Sequence, residues 1–245
     1  MKGIYIFLAD GFEISEALTT VNMLRRGGVN VKIVSIYDDR IVTSSNRIPV
    51  IADMAFGEFK ASTTFGPCLP SDVMIFPGGM PGSSNLAAFG KLMDIMQQHY
   101  AEGGTLAAIC AAPSVVLGLL PDLSGKKMTC YDGFEETLIA KGAEYVKEGV
   151  VVDGNLITGR GPGWAVEFGL SILAHIKGKE IAEHRRVEFN ETPPIIIDFE
   201  TVTSVQEDYR DGGTVIMDAK TACMVAEPLE DVLEAWIKVK SNLNR

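Results

Sequence analysis

The chain has 245 residues, 47% hydrophobic and 22% charged, enough for one well-cored domain with an appendage. Its formal net charge of −10 and pI near 4.8 argue against binding a phosphate backbone, which needs a basic face. The cysteines at 68, 110, 130 and 223 are scattered with no C-x-x-C pair, which suits neither a disulfide framework nor a zinc site.

The opening run from Met1 to Ala9 is too short for a secretory signal and is broken by Asp10 and Glu13. No stretch approaches the ~20 apolar residues that span a bilayer. The glycosylation-like triplet Asn190-Glu191-Thr192 therefore reads as chance. The expectation is a soluble, reduced, cytoplasmic protein with no nucleic-acid or membrane partner.

Gly3 to Ala9 reads as a buried strand. Glu13 to Arg26 has helical spacing at Ala17, Leu18, Val21 and Leu24, stopped by Gly27 and Gly28. Val29 to Ser35 is a β-branched strand, and Pro49 to Ala55 a shorter one. Val73 to Phe76 is a strand ending in the turn signal Pro77-Gly78-Gly79. Asn85 to Tyr100 reads as one helix, and Gly103-Gly104 leads into a strand from Thr105. Lys127 to Tyr131 reads as a strand and Phe134 to Lys141 as a helix. Strands follow from Glu144 to Ile157, with a turn at Asp153-Gly154, and Gly163 to Ile176 is an amphipathic helix capped by Gly178. Alternating strands and helices imply a mostly parallel sheet covered on both faces.

The tail behaves differently. Pro193-Pro194 interrupts the pattern; apolar runs follow at 195–197 and 214–217, with Asp211-Gly212-Gly213 between them. From Pro228, Leu229, Val232, Leu233, Trp236 and Ile237 recur at helical spacing. A packing helix that buries Trp236 is expected, and residues 189–245 are read as an extension to a domain of residues 1–188.

The segment Thr105-Leu106-Ala107-Ala108-Ile109-Cys110-Ala111-Ala112-Pro113 carries the chemistry. An apolar strand runs straight into a cysteine, then small residues and a helix start. A sulfur there lies at the carboxyl edge of an open sheet and near helix-end amides, where a thiolate is stabilised and its pKa lowered. The competing reading is an inert core cysteine. Glu16, one turn into the first helix, opens at the same edge and can point into the crevice or stay solvated. The glycine-rich segments 77–82 and 159–163 complete neither G-x-G-x-x-G nor the P-loop pattern. His99, His175 and His184 lie on or beside helices and read as packing or surface residues.

Five segments resemble, in order, those of the ThiJ/PfpI superfamily, in the branch that contains Parkinson disease protein seven (protein deglycase) and the bacterial YajL. They are Leu8 to Glu16, Phe76 to Met80, Ala108 to Pro113, Thr129 to Glu135 and Thr158 to Gly163. The resemblance implies a flavodoxin-like, doubly wound α/β/α sandwich, commonly a homodimer, with no cofactor or metal. It assigns the reactive thiol to Cys110 and a protonated partner carboxyl to Glu16. The amides of Gly79 and Ala111 would form an oxyanion pocket, with Arg47 and Cys130 lining the site. Ala111 stands where protease-like members carry histidine, and Cys130 where the deglycase has one, so a thiol peptidase would lack its base. The activity implied is a cofactor-free glyoxalase III or deglycase acting on a small reactive carbonyl. The alternative is an oxidation sensor or chaperone in which Cys110 becomes a sulfinate.

Overall fold

The structure is a computed structural model that describes residues 1–64 and 66–190, together with the strands Val202–Glu207, Thr214–Asp218 and Ala222–Val225. The chain divides into two compact units, residues 1–191 and 192–245.

The first unit is built on β1 (Ile4–Leu8), α1 (Ile14–Arg26), β2 (Val31–Ser35), the pair β3 (Ile41–Thr43) and β4 (Pro49–Ile51), β5 (Met54–Ala55) and α2 (Phe56–Ser62). Then come β6 (Val73–Phe76), α3 (Gly82–Ala88), α4 (Gly90–Ala101), β7 (Thr105–Ile109) and α5 (Ala112–Val115). The rest is β8 (Lys127–Met128), α6 (Glu135–Ala140), β9 (Glu144–Tyr145), β10 (Val150–Asp153), β11 (Leu156–Gly159), α7 (Ala165–Lys177) and α8 (Lys179–Asn190). The seven-stranded sheet has the order β10-β11-β7-β6-β1-β2-β5. Its pairings are parallel except β10 with β11, which is the expected flavodoxin-like α/β sandwich.

Each strand divides its side chains between two cores. Phe7, Val34, Met74, Phe76, Leu106 and Ala108 point to one face. Ile6, Leu8, Ile33, Ile75, Ala107 and Ile109 point to the other, where α1 and α7 pack. Period-2 placement on a doubly covered sheet explains why these strands are apolar throughout instead of alternating with polar residues. Two glycines let α1 and α7 approach: a Cβ on Gly27 would meet Leu173 at 2.4 Å, and one on Gly169 would meet Met23 at 2.9 Å.

From β1 the chain winds outward to β2 and β5, then returns to place β6 on the other side of β1. The strand order thus reverses between β1 and β6, which opens a crevice at their carboxyl ends. Among the described residues, no helix is long and apolar enough to cross a membrane.

Several expected elements are resolved differently. The helix read from Asn85 to Tyr100 is two helices, broken at Phe89, whose ψ of 82° is not helical. The strand read from Pro49 to Ala55 is β4 and β5, which belong to different sheets. Helix α8 was not expected; its polar composition lacks the apolar stripe by which helices are read, and it runs through the boundary placed at residues 188–189. In the second unit, β12 (Val202–Glu207), β13 (Thr214–Asp218) and β14 (Ala222–Val225) form a three-stranded antiparallel sheet. The apolar run at 214–217 is β13; the run at 195–197 and the helix carrying Trp236 lie outside the described residues.

Candidate active site

Three turns at the carboxyl edge of the sheet build the site. The turn after β7 is the tightest. Cys110 adopts φ 66°, in the left-handed region that costs a residue with a Cβ. The conformation is held at both ends: the Cys110 amide donates to the Gly159 carbonyl at 2.9 Å, and its carbonyl accepts from the Tyr131 amide at 2.8 Å. Strand β11 and the segment after β8 thereby clamp the peptide that carries the sulfur, which stays half-buried.

Glu16 arrives from α1. Its side chain is completely buried, and its Oε2 accepts from the Gly78 amide at 2.7 Å. The carboxyl and the Cys110 thiol act on one another's proton affinity. Gly78 is bare because the two groups meet over it: a Cβ there would lie 2.5 Å from Cys110 Cβ and 2.6 Å from Glu16 Oε2. Gly79 follows at φ 88°, and a Cβ on it would strike the Glu13 nitrogen at 2.4 Å. The turn after β6 is therefore pressed against both the loop after β1 and the cysteine.

Burial pushes the Glu16 carboxyl up to about 7, opposed by the Gly78 amide and the Cys110 thiol and supported by the charge of Glu13. The Cys110 thiol is also pushed up, to about 12, first by burial and then by the Glu16 charge and hydrogen bond. The amides of Gly79 and Ala111 act on the sulfur in the opposite direction and are outweighed. This corrects the expectation of a thiol pKa below its free value. Helix-end amides are present, but α5 is only four residues long and a buried carboxylate faces the same atom. The two groups titrate as a pair. The first proton leaves near pH 7, and the second is retained because two negative charges would otherwise share one buried site. The remaining proton rests on sulfur beside a carboxylate, or on Glu16 beside a thiolate.

The other expected site residues are placed as follows. Cys130 is fully buried, and burial raises its thiol pKa, opposed by the Ser114 hydroxyl on α5. It precedes Tyr131, whose amide donates to the Cys110 carbonyl. Arg47 has φ 64° in the turn between β3 and β4, which is tied to the loop after β1 by Ser45 N–H to Phe12 O at 2.9 Å and Gly11 N–H to Thr43 O at 2.8 Å. Its side chain is exposed, and its recorded hydrogen bond is a backbone one, to Ser44. Arg47 is thus placed in a turn bonded to the loop after β1, and it is not among the groups that act on the sulfur, which are Glu16, Gly79 and Ala111.

The histidines lie elsewhere. His99 Nε2 sits 3.1 Å from the Asp72 carbonyl and 3.2 Å from the Thr105 carbonyl; His175 Nε2 sits 2.9 Å from Thr105 Oγ1. Both groups mark the amino ends of β6 and β7, the edge opposite Cys110.

Sequence reasoning missed Tyr131, Arg160 and Trp164. They line a cavity of about 450 Å³, and Arg160 is held bidentately by Asp132 at 2.8 and 2.6 Å. They are next in sequence to, or a few residues from, the two backbone groups that clamp Cys110. The residues of the Thr129 and Thr158 segments were visible as motifs; their convergence on one turn was not.

The chain is similar to known proteins. The chain is 34% identical over 182 residues to DJ-1 homolog A of Arabidopsis thaliana, covering 74% of this chain and 45% of that protein. It thus spans less than half the length of that relative. It is 35% identical over 179 residues to protein dj-1beta of Drosophila melanogaster, covering 73% of this chain and 91% of the relative. The crystal structure of that protein superposes with a TM-score of 0.68 at 31% identity, covering 77% of this chain and 97% of the other. A glutathione-independent glyoxalase of Caenorhabditis elegans is 29% identical over 165 residues, covering 67% of this chain and 83% of that protein. The model of the DJ-1/PfpI family matches residues 2–175, and the chain belongs to that family.

Proposed function

We propose that this chain is a cofactor-free, cysteine-dependent enzyme that acts on small reactive aldehydes, of the glyoxalase III or deglycase type. One observation carries the reading: the buried Glu16 carboxyl, with Oε2 fixed by the Gly78 amide, lies beside the Cys110 side chain, both within 2.6 Å of the position a Cβ on Gly78 would take. A thiol beside a buried base that titrates near pH 7 forms an activated nucleophile. The name of the nematode relative points to the same chemistry.

With methylglyoxal as substrate, Glu16 takes the thiol proton as the sulfur adds to the aldehyde carbon. The aldehyde oxygen becomes an oxyanion beside the Gly79 and Ala111 amides and is then protonated by Glu16, giving a hemithioacetal. Transfer of the former aldehyde hydrogen to the adjacent carbon, as a proton through Glu16, with the hemithioacetal hydroxyl proton passing to the ketone oxygen, gives a lactoyl thioester. Water cleaves it and restores the thiol. Overall, one water is added, one carbon is oxidised and its neighbour reduced, with no external oxidant or reductant.

The test is lactate release from methylglyoxal in the absence of glutathione. Cys110→Ser should abolish it, and Glu16→Gln should lower it by roughly 10²- to 10⁴-fold. A second reading follows from the same amides, which would equally hold the oxygens of a Cys110 sulfinate. Stoichiometric sulfinate under peroxide with no aldehyde turnover would favour that sensor. Assembly as a homodimer is part of the proposal; sedimentation showing only a 26.5 kDa species at micromolar concentration would remove it.

A further inference from the structure

A closed ring of hydrogen bonds joins Glu13, Glu16 and Gly78. The Glu13 amide donates to the Gly78 carbonyl at 2.9 Å. The Gly78 amide donates to Glu16 Oε2 at 2.7 Å. The Glu16 amide donates to Glu13 Oε2 at 2.7 Å, and that same oxygen accepts from Ser15 Oγ at 2.5 Å. Each member thus fixes the next, and the ring joins the loop after β1, the first turn of α1 and the turn after β6.

From this ring we propose that Glu13 is a positioning residue for the Cys110–Glu16 pair: its carboxylate aims the Glu16 side chain by fixing the start of α1, and its charge, one helical turn away, adds to the pair's hold on its first proton.

The proposal rests on the reading of Cys110 and Glu16 as the working pair. Glu13 is the N-cap of α1, with extended backbone at φ −84° and ψ 119°, a role that a short polar residue such as serine or asparagine usually fills. A glutamate brings a full charge within one helical turn of a second carboxyl, which an ordinary cap would avoid. The cost falls on Glu16. Its unpaired oxygen, Oε1, is buried with no hydrogen-bond partner, so a negative charge there gains little from its surroundings. The groups acting on Glu16 are Glu13, the Cys110 thiol and the Gly78 amide. Of these only Glu13 is a like charge whose side chain is partly open to solvent, and it can be neutralised without entering the buried pair.

The two effects separate by substitution. Glu13→Gln keeps an acceptor oxygen for the Glu16 and Ser15 donors but removes the charge. Glu13→Ala removes both. The measurement is the rate of Cys110 alkylation by iodoacetamide against pH in the full chain, read by peptide mass spectrometry, with thermal melting alongside. Reactivity should rise as the pair loses its first proton, because only then does a fraction of the sulfur carry charge. Glu13→Gln should move that midpoint down by roughly half a pH unit, the size of a partly solvated charge interaction. Glu13→Ala should also lower the plateau rate, by roughly tenfold, because Glu16 is no longer aimed.

A Glu13→Gln midpoint at the wild-type position, whatever the change in melting temperature, overturns the proposal and leaves Glu13 a plain helix cap. If Glu13→Ala fails to fold, the Glu13→Gln midpoint decides alone. Glu16→Gln serves as the control: if it leaves the wild-type profile intact, the pair reading fails first. If it abolishes the pH step while Glu13→Gln does not move it, only the proposal about Glu13 fails.

Discussion

Across the unsubstituted Cα of Gly78, the carboxyl of Glu16 raises the proton affinity of the Cys110 thiol, while the thiol lowers that of Glu16, whose own rise comes from burial. They come from α1 and from the turn after β7, 94 positions apart in sequence, and the reversal of strand order at β1 and β6 brings their turns to one edge. A pair that holds one proton over the neutral range is suited to chemistry in which a proton leaves sulfur and returns to oxygen within a single turnover. Aldehyde turnover should therefore rise with pH through about 7 and then level off, since the active form is the pair that has lost its first proton. A profile falling through that range would mean that the doubly protonated pair is the active form.

The same group makes stability depend on pH in a defined direction. Glu16 titrates at about 7 in the folded chain against a reference value of 4.5, so the folded state holds its proton more tightly. A raised carboxyl favours folding below 4.5, and that contribution is lost as pH rises to about 7. The difference is on the order of 3 kcal/mol. Glu16→Gln, which has no proton to lose, should gain on the wild type across this window and exceed its stability at pH 8. Urea unfolding of both proteins between pH 4 and 8 measures it; parallel curves would show that Glu16 is not the titrating group.

Gly78 tests the geometry without touching a titratable group. Gly78→Ala would put a methyl 2.5 Å from Cys110 Cβ, 2.6 Å from Glu16 Oε2 and 2.9 Å from the Ile109 carbonyl. Two of these three are held by the backbone, so the strain has nowhere to go but the pair. Stability should fall by roughly 1–3 kcal/mol, and aldehyde turnover should be lost even where the variant remains folded. A folded Gly78→Ala protein with near-normal turnover would exclude contact between Glu16 and Cys110 as the basis of activity.

Much of this was legible in the sequence, and the failures have physical causes. The strands of the central sheet were found because apolar runs bounded by glycine and proline survive any packing detail. The meeting of Cys110 and Glu16 at one edge was legible because a cysteine between a strand and a helix start, and a carboxyl in the first turn of a helix, are positions with few alternatives. The thiol's pKa direction was missed because it depends on a carboxyl 94 residues away and on burial, neither of which local amides report. Helix α8 was missed because its residues are mostly polar, and the break at Phe89 because no glycine or proline marks it. Tyr131 and Arg160 were missed as neighbours of the site because only the backbone bonds from Cys110 to Gly159 and Tyr131 bring them there.

Cys130 separates structural from chemical cysteines. It is fully buried among apolar side chains, so Cys130→Ala should retain most of the aldehyde turnover and Cys130 should resist alkylation in the folded protein. Cys110, half-buried and beside the Glu16 carboxyl over Gly78, should react first. Peptide mapping after brief iodoacetamide treatment compares the two directly; labelling of Cys130 ahead of Cys110 would reverse their assigned roles.

The turn that carries Cys110 should reveal its strain in the order of two simple variants. At φ 66° a Cβ costs roughly 1–2 kcal/mol, a penalty that cysteine and alanine share and glycine escapes. Both Cys110→Ala and Cys110→Gly remove the sulfur, and with it the interaction with Glu16, so their difference isolates the backbone term apart from one methyl group. In most settings alanine is the more stable of the two by roughly 0.5–1 kcal/mol, because glycine loses more freedom on folding. Here the order should invert, with Cys110→Gly the more stable by roughly 1 kcal/mol and both variants inactive. Ala108→Gly, two residues earlier in the buried strand β7, supplies the ordinary case and should be destabilised. Urea midpoints at matched slopes give all three values. If Cys110→Ala proves as stable as Cys110→Gly, the bonds from Gly159 and Tyr131 hold no strained turn, and the sulfur's placement must owe more to side-chain packing than to the backbone.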